Sequence, residues 1–223
     1  MNVKYINTWF TLFLYHELEY FTTYSERIEE FLSQQSTNLE QEFKNQIEAL
    51  QVESDEEAQT LYEMHYEEEF HSFNNHFPTI LRTSLFTSMY SYLEKQLNQL
   101  CKMFEKENKV KLSDLKHSGI GRAKNYLSKV CNIDFPSRTD AWNQIKNYQK
   151  IRNIITHQGN EISIKKNEKT NISLFNSVVG IRLVDRVMHY EVKFDEEFCE
   201  GFSKILYSFF TSLEESLDEE TCE

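Results

Sequence analysis

Only 5 glycines and 2 prolines occur in 223 residues. Sandwiches and barrels need those residues at their many reversals, so their scarcity excludes a turn-rich β fold and favours long helices. Closely spaced cysteines are also missing. Cys101, Cys131, Cys199 and Cys222 lie far apart with no C-x-x-C, which excludes a zinc-finger spacing or a disulfide framework and points to reduced thiols in a cytoplasmic protein. There is no long hydrophobic run either. The apolar patch "TWFTLFLY" (8–15) is followed at once by His16, Glu17 and Glu19. It is too short to span a bilayer and carries no signal-peptide cleavage pattern, so the expectation is a buried helix and no membrane partner. Neither an internal repeat nor a low-complexity linker is found.

Aromatics are plentiful, with 17 Phe and 12 Tyr, and the length suffices to bury a sizeable core. The formal charge of −12 speaks against a nucleic-acid partner until its distribution is considered. Residues 1–80 hold 3 Lys/Arg and 16 Asp/Glu, residues 81–160 hold 14 and 6, and residues 161–223 hold 7 and 14. A phosphate-bearing ligand is electrostatically reasonable in the basic middle. Alternatively, the acidic first third neutralises that middle within one monomer.

Apolar spacing marks the helices. Leu39, Phe43, Ile47 and Leu50 share one helical face. "SDEE" at Ser54–Glu57 fits a capping box that starts a second helix, running until Pro78 interrupts the region. His65, Glu67–Glu69 and His71 on it are a solvated surface rather than a metal site. Leu85, Met89, Leu93, Leu97, Leu100 and Phe104 predict a long amphipathic helix from Thr79 to about Glu107. Gly119 and Gly121 give only G-x-G, which suits turn or packing geometry better than nucleotide binding. A short helix is expected over 122–130, and another begins near Ala141 with Asp140 as its cap. Trp142, Ile145, Tyr148, Ile151 and Ile155 form its apolar side, and Gly159 stops it. The alternating "ISIKK" and "GIRLVDRVMHYEVKF" predict short strands with a hairpin around Asp185–Arg186, and "DEEFCEGFSKILYSFFTSLEESL" predicts a closing helix. The fold class is therefore mainly α: a helical bundle with a small β-hairpin.

The stretch "RNIITHQG" (152–159) carries the chemistry. Asn153 and His157 are four apart and share a helical face, whereas Arg152 and His157 differ in direction by roughly 140°. A single straight helix struggles to aim both at one phosphate; a long arginine helps, a distorted last turn helps, and a second copy of the helix in a dimer helps most. Such a set supports metal-free cleavage of RNA by its own 2′-hydroxyl. Histidine moves protons, arginine stabilises the phosphorane, and Asn153 holds the imidazole or the phosphate. A structural role needs the same residues: His157 capping the helix dipole and Arg152 paired with an acid of the negative segment.

"KIRNIITHQGNEI" resembles the R-x(4–6)-H signature of the HEPN superfamily. "SLFTSMYSYLEKQLNQLC", "LSDLKHSGIGRAKNYL" and "WNQIKNYQKIRN" resemble the helices before that signature. The resemblance covers roughly residues 76–215. It implies a HEPN-like helical domain over 76–223 preceded by an acidic helical N-terminal extension over 1–75, or one continuous domain. It further implies a homodimeric, metal-independent ribonuclease of toxin–antitoxin or antiviral defence, with RNA as substrate, no cofactor, and an antitoxin or defence-system protein as partner. Arg152 and His157 would be catalytic, Asn153 supporting, and Glu94 a fourth member. Other HEPN domains are non-catalytic and bind a partner protein, which is the second expectation.

Overall fold

The scarcity of helix breakers is expressed in the computed structural model, which describes residues 13–116, 118–163 and 168–219. The molecule is mainly helical, with a small antiparallel sheet. Helix α1 (Tyr15–Ala49) is followed by α2 (Asp55–His65). Ser54 caps α2, its hydroxyl accepting the Glu57 N–H at 3.2 Å. After α3 (Glu67–His71) and a wide turn at Ser72–His76 comes α4 (Phe77–Phe104). Pro78 lies in the first turn of α4, where its missing N–H costs no hydrogen bond, so it opens this helix. Then follow α5 (Gly119–Lys129), α6 (Asp140–Gln158), β1 (Glu161–Ser163), α7 (Glu168–Asn176), β2 (Ile181–Arg186), β3 (His189–Phe194) and α8 (Glu197–Glu219). Residues 8–12 of the amino-terminal apolar patch, Ile164–Lys166 of "ISIKK" and Cys222 lie outside the described residues.

Several local expectations need correction. The cap of α6 is Thr139, whose hydroxyl accepts the Trp142 N–H at 3.2 Å; Asp140 is already helical. The β2–β3 hairpin turns at Val187–Met188, because Arg186 pairs with His189 and closes the ladder there. Leu50 ends α1 exposed instead of continuing the apolar face. Helix α7 has no counterpart in the apolar spacing. Strand order is β1-β3-β2, with β3 central and its Val192 and Phe194 turned into the core.

Helix α4 is the spine. Leu85, Met89, Leu93, Leu97 and Leu100 are buried as their spacing demands, and Phe86 and Tyr90 are buried beside them. Phe86 meets Tyr148 of α6 at 5.9 Å and Phe198 and Phe202 of α8 at 5.1 and 5.3 Å between ring centroids. Tyr148 in turn stacks on Phe202 at 4.5 Å. Such ring pairs each contribute about 0.5–1.5 kcal/mol beyond simple burial. The contacts fix the rotation of α6 and α8 against α4. Cys101 and Cys199 are buried in the same core, and burial pushes both thiols up to about 12, so neither is a ready nucleophile. Among the described residues, no helix is long and apolar enough to cross a membrane.

Helix α1 joins this core through Leu14 and Leu18. One ion pair joins it to the basic middle. Arg82 of α4 donates Nε and Nη2 to the two carboxylate oxygens of Glu29 at 2.6 and 2.7 Å, and Nη1 to the Phe194 carbonyl at 2.7 Å. Both side chains are only 12–14% exposed. A single cation thus links α1, α4 and β3. Removing one partner of such a pair strands the other charge. Arg82→Met should therefore cost about 3 kcal/mol in urea unfolding, whereas Arg182→Met, at an exposed pair with Asp195, should cost under about 1 kcal/mol. Equal effects would show that the Arg82 bridge is not special.

Candidate functional site

Helix α6 presents the motif. Its buried line of Trp142, Ile145, Tyr148, Ile151 and Ile155 faces α4 and α8. Its end is fixed by Gly159, whose N–H bonds the Ile155 carbonyl at 2.8 Å with φ of 69°, a conformation that L side chains rarely adopt. The chain then runs into β1. The Asn160 amide bonds Thr83 of α4 at 2.9 Å, and the Asn160 carbonyl accepts from Val192 of β3 at 2.7 Å. The last turn is therefore tied on both sides and remains α-helical to Gln158.

Arg152 turns inward toward α4. Its Nη2 donates to Glu94 at 2.8 Å, and its guanidinium carbon sits 4.4 Å from the centre of the Tyr90 ring. Tyr90 and Glu94 are one turn apart on α4, so one helical face supplies both the carboxylate and the ring. The pair stays open to water at one side, with Arg152 and Glu94 side chains 22% and 25% exposed. Burial, and then the Glu94 charge, push the Tyr90 phenol up, while the Arg152 charge opposes this. Tyr90 thus presents a neutral ring to the guanidinium.

Gly119 closes the other side of Glu94. It opens α5 with φ of 58°, and a Cβ added there would meet a Glu94 carboxylate oxygen at 2.7 Å. The carboxylate therefore lies between the Arg152 guanidinium and the first turn of α5. Gln149, three residues before Arg152, lies beside the same spot. The acid that pairs with Arg152 comes from the basic middle of the chain, not from the acidic first third.

Asn153 and His157 are turned the other way, and both are exposed. Lys146, Lys150, Asn153 and His157 follow at steps of four, three and four along α6, all exposed. At about 1.5 Å per residue they form a polar stripe roughly 16 Å long that is positive at one end and closes on the imidazole. Beside the end of α6, Ile155 and Gly159 border an open groove of about 610 Å³ whose far wall is Ile80, Thr83, Ser84 and Thr87 of α4. The structure thus joins Arg152 with Glu94 of α4 and leaves Asn153 and His157 exposed on another face of α6. Tyr90, Lys146 and Lys150 escape a reading of the sequence, whereas Gly119, expected there to serve turn or packing geometry, packs on Glu94. Tyr90 had a legible signal, its four-residue spacing from Glu94. Among the described residues no cluster of three or more metal-ligating side chains occurs.

The Gly119 contact makes a sharp expectation. Gly119→Ala should destabilise the fold by roughly 1–3 kcal/mol, from the strained φ and the displaced carboxylate. Gly121→Ala, where an added Cβ meets nothing within 4 Å, should be neutral or should stabilise by about 0.5 kcal/mol. Thermal unfolding of both variants reads this directly, and a neutral Gly119→Ala would contradict the close packing on Glu94. Comparison with known proteins finds no matching family model, no matching curated protein and no matching solved structure.

Proposed function

We propose that the chain is a metal-independent endoribonuclease of HEPN type, working as a homodimer in the cytoplasm in toxin–antitoxin or anti-phage defence. The observation that carries this reading is the exposed Lys146–Lys150–Asn153–His157 stripe, a phosphate-attracting track that ends on the one residue type able to move protons near neutrality. His157 takes the 2′-hydroxyl proton as the 2′-oxygen attacks phosphorus, and a protonated imidazole returns one to the 5′-oxygen as its bond to phosphorus breaks. Arg152 stabilises the phosphorane. Within one copy the two residues point roughly 140° apart, so the cleft pairs Arg152 of one copy with the partner's His157.

The second reading is a non-catalytic HEPN-like module that binds a partner protein. The set of Arg152, Glu94 and Tyr90 favours it, because a guanidinium already held by a carboxylate and a ring has a sufficient structural role. The overall charge of −12 favours it too.

Variants separate the two. His157→Ala should lower RNA cleavage by about 10²-fold or more with an unchanged melting temperature, since the side chain is exposed. Arg152→Ala should lower both cleavage and stability, because it leaves Glu94 unpaired. Arg152→Lys should rescue poorly, because an ammonium does not reproduce the planar fork. Cleavage should persist in excess chelator and leave 2′,3′-cyclic phosphate ends. Magnesium dependence or 3′-hydroxyl products would sink the mechanism. A wild type that cuts no RNA while Arg152→Ala loses stability would leave the interaction module standing.

A further inference from the structure

Helix α1 leaves a line of aromatic rings in water. Phe13, in the turn leading into the helix, is 64% exposed, Tyr20 59%, Tyr24 51% and Phe31 53%. Single exposed rings are ordinary, but four in register form a patch of the kind that marks an interface. With Glu17 and Arg27, both also exposed, they follow steps of four, three, four, three and four from 13 to 31. That is the seam spacing of paired helices, and all six positions lie within roughly 40° of one line down the helix. The buried positions Leu18, Ser25 and Leu32 lie roughly 120° further round, so the seam is a second face, separate from the one that packs on the core. Beyond Phe31 the line turns polar. Gln34 and Asn38 bond each other at 2.8 Å, which ends the apolar stretch.

The order of residues along this seam reads the same in both directions once opposite charges are matched. Phe13 and Phe31, Glu17 and Arg27, and Tyr20 and Tyr24 are placed symmetrically about position 22. A second copy laid antiparallel across a two-fold axis at that level brings ring against ring at both ends and in the middle. It also sets each Glu17 opposite the partner's Arg27. A parallel in-register pairing would instead face Glu17 with the partner's Glu17 and Arg27 with the partner's Arg27. The charge pattern therefore selects both the occupant and its direction.

We propose that this face of α1 is an isologous, antiparallel helix–helix interface between two copies of the chain, in the register Phe13–Phe31, Glu17–Arg27 and Tyr20–Tyr24. Four half-exposed rings from each copy, with the stems of Glu17 and Arg27, cover on the order of 1,000 Å², the threshold for a specific contact. The seam lies on α1 and the His157 stripe on α6, two helices that each pack on α8. The pairing is independent of any ribonuclease activity.

The test is charge exchange, read by light scattering or sedimentation of the full chain at tens of micromolar. Wild type should be a dimer or a larger assembly. Glu17→Arg alone and Arg27→Glu alone should each weaken the association roughly ten-fold or more and halve the mass at a suitable dilution. An equimolar mixture of the two variants should return to the wild-type mass, because an all-Arg seam then faces an all-Glu seam at both charged positions. The double variant Glu17→Arg/Arg27→Glu should also regain it. Recovery on mixing shows that the single variants remain folded. A monomeric wild type, unchanged mass in the single variants, or a mixture that stays at the variants' mass would overturn the proposal.

Discussion

The ring contact of Phe86 with Tyr148, Phe198 and Phe202 is the constraint on which the rest depends. These rings come from α4, α6 and α8, and large rigid side chains fit together in few ways. Once they are seated, the rotation of α6 is fixed. Arg152 must then face α4, where Glu94 and Tyr90 wait one turn apart, and the opposite side of α6 must face water. The split of the motif into an inward arginine and an outward histidine is a consequence of core packing. Gly159 and Asn160 hold the result in place at the helix end.

Charge follows the same geometry. Glu29 and Arg82 join the acidic first third to the basic middle at one buried point, yet Lys146 and Lys150 remain exposed. Glu29 thus offsets one cation of the middle, Arg82. It leaves a positive track on α6 in a chain that is strongly negative overall. Steering of an anionic ligand depends on the local field more than on net charge, and it weakens as salt is raised.

The helices were legible because burial imposes a period. Leu85, Met89, Leu93, Leu97 and Leu100 give α4 away, and Ser54 announces α2. Helix α7 was not legible: it is mostly polar and is anchored chiefly by the single buried ring of Phe175, too little to make a period. The hairpin turn was misplaced by two residues because Val187 and Met188, which are 99% and 76% exposed, are apolar where turn chemistry favours Gly or Asn. At the site, the face shared by Asn153 and His157 follows from helix geometry alone. That Glu94, not an acid of the first third, meets Arg152 depends on how α4 and α6 settle across a sequence separation of 58 residues. No local pattern encodes that distance.

The proposed reading stands or falls on whether the arginine of one copy works with the histidine of another. Mixing Arg152→Gln with His157→Ala, each inactive alone, measures this directly. A mixed dimer retains one cleft with an intact Arg152 from one chain and an intact His157 from the other. The account predicts that metal-independent cleavage returns in the mixture. A mixture that stays silent beside an active wild type would contradict it.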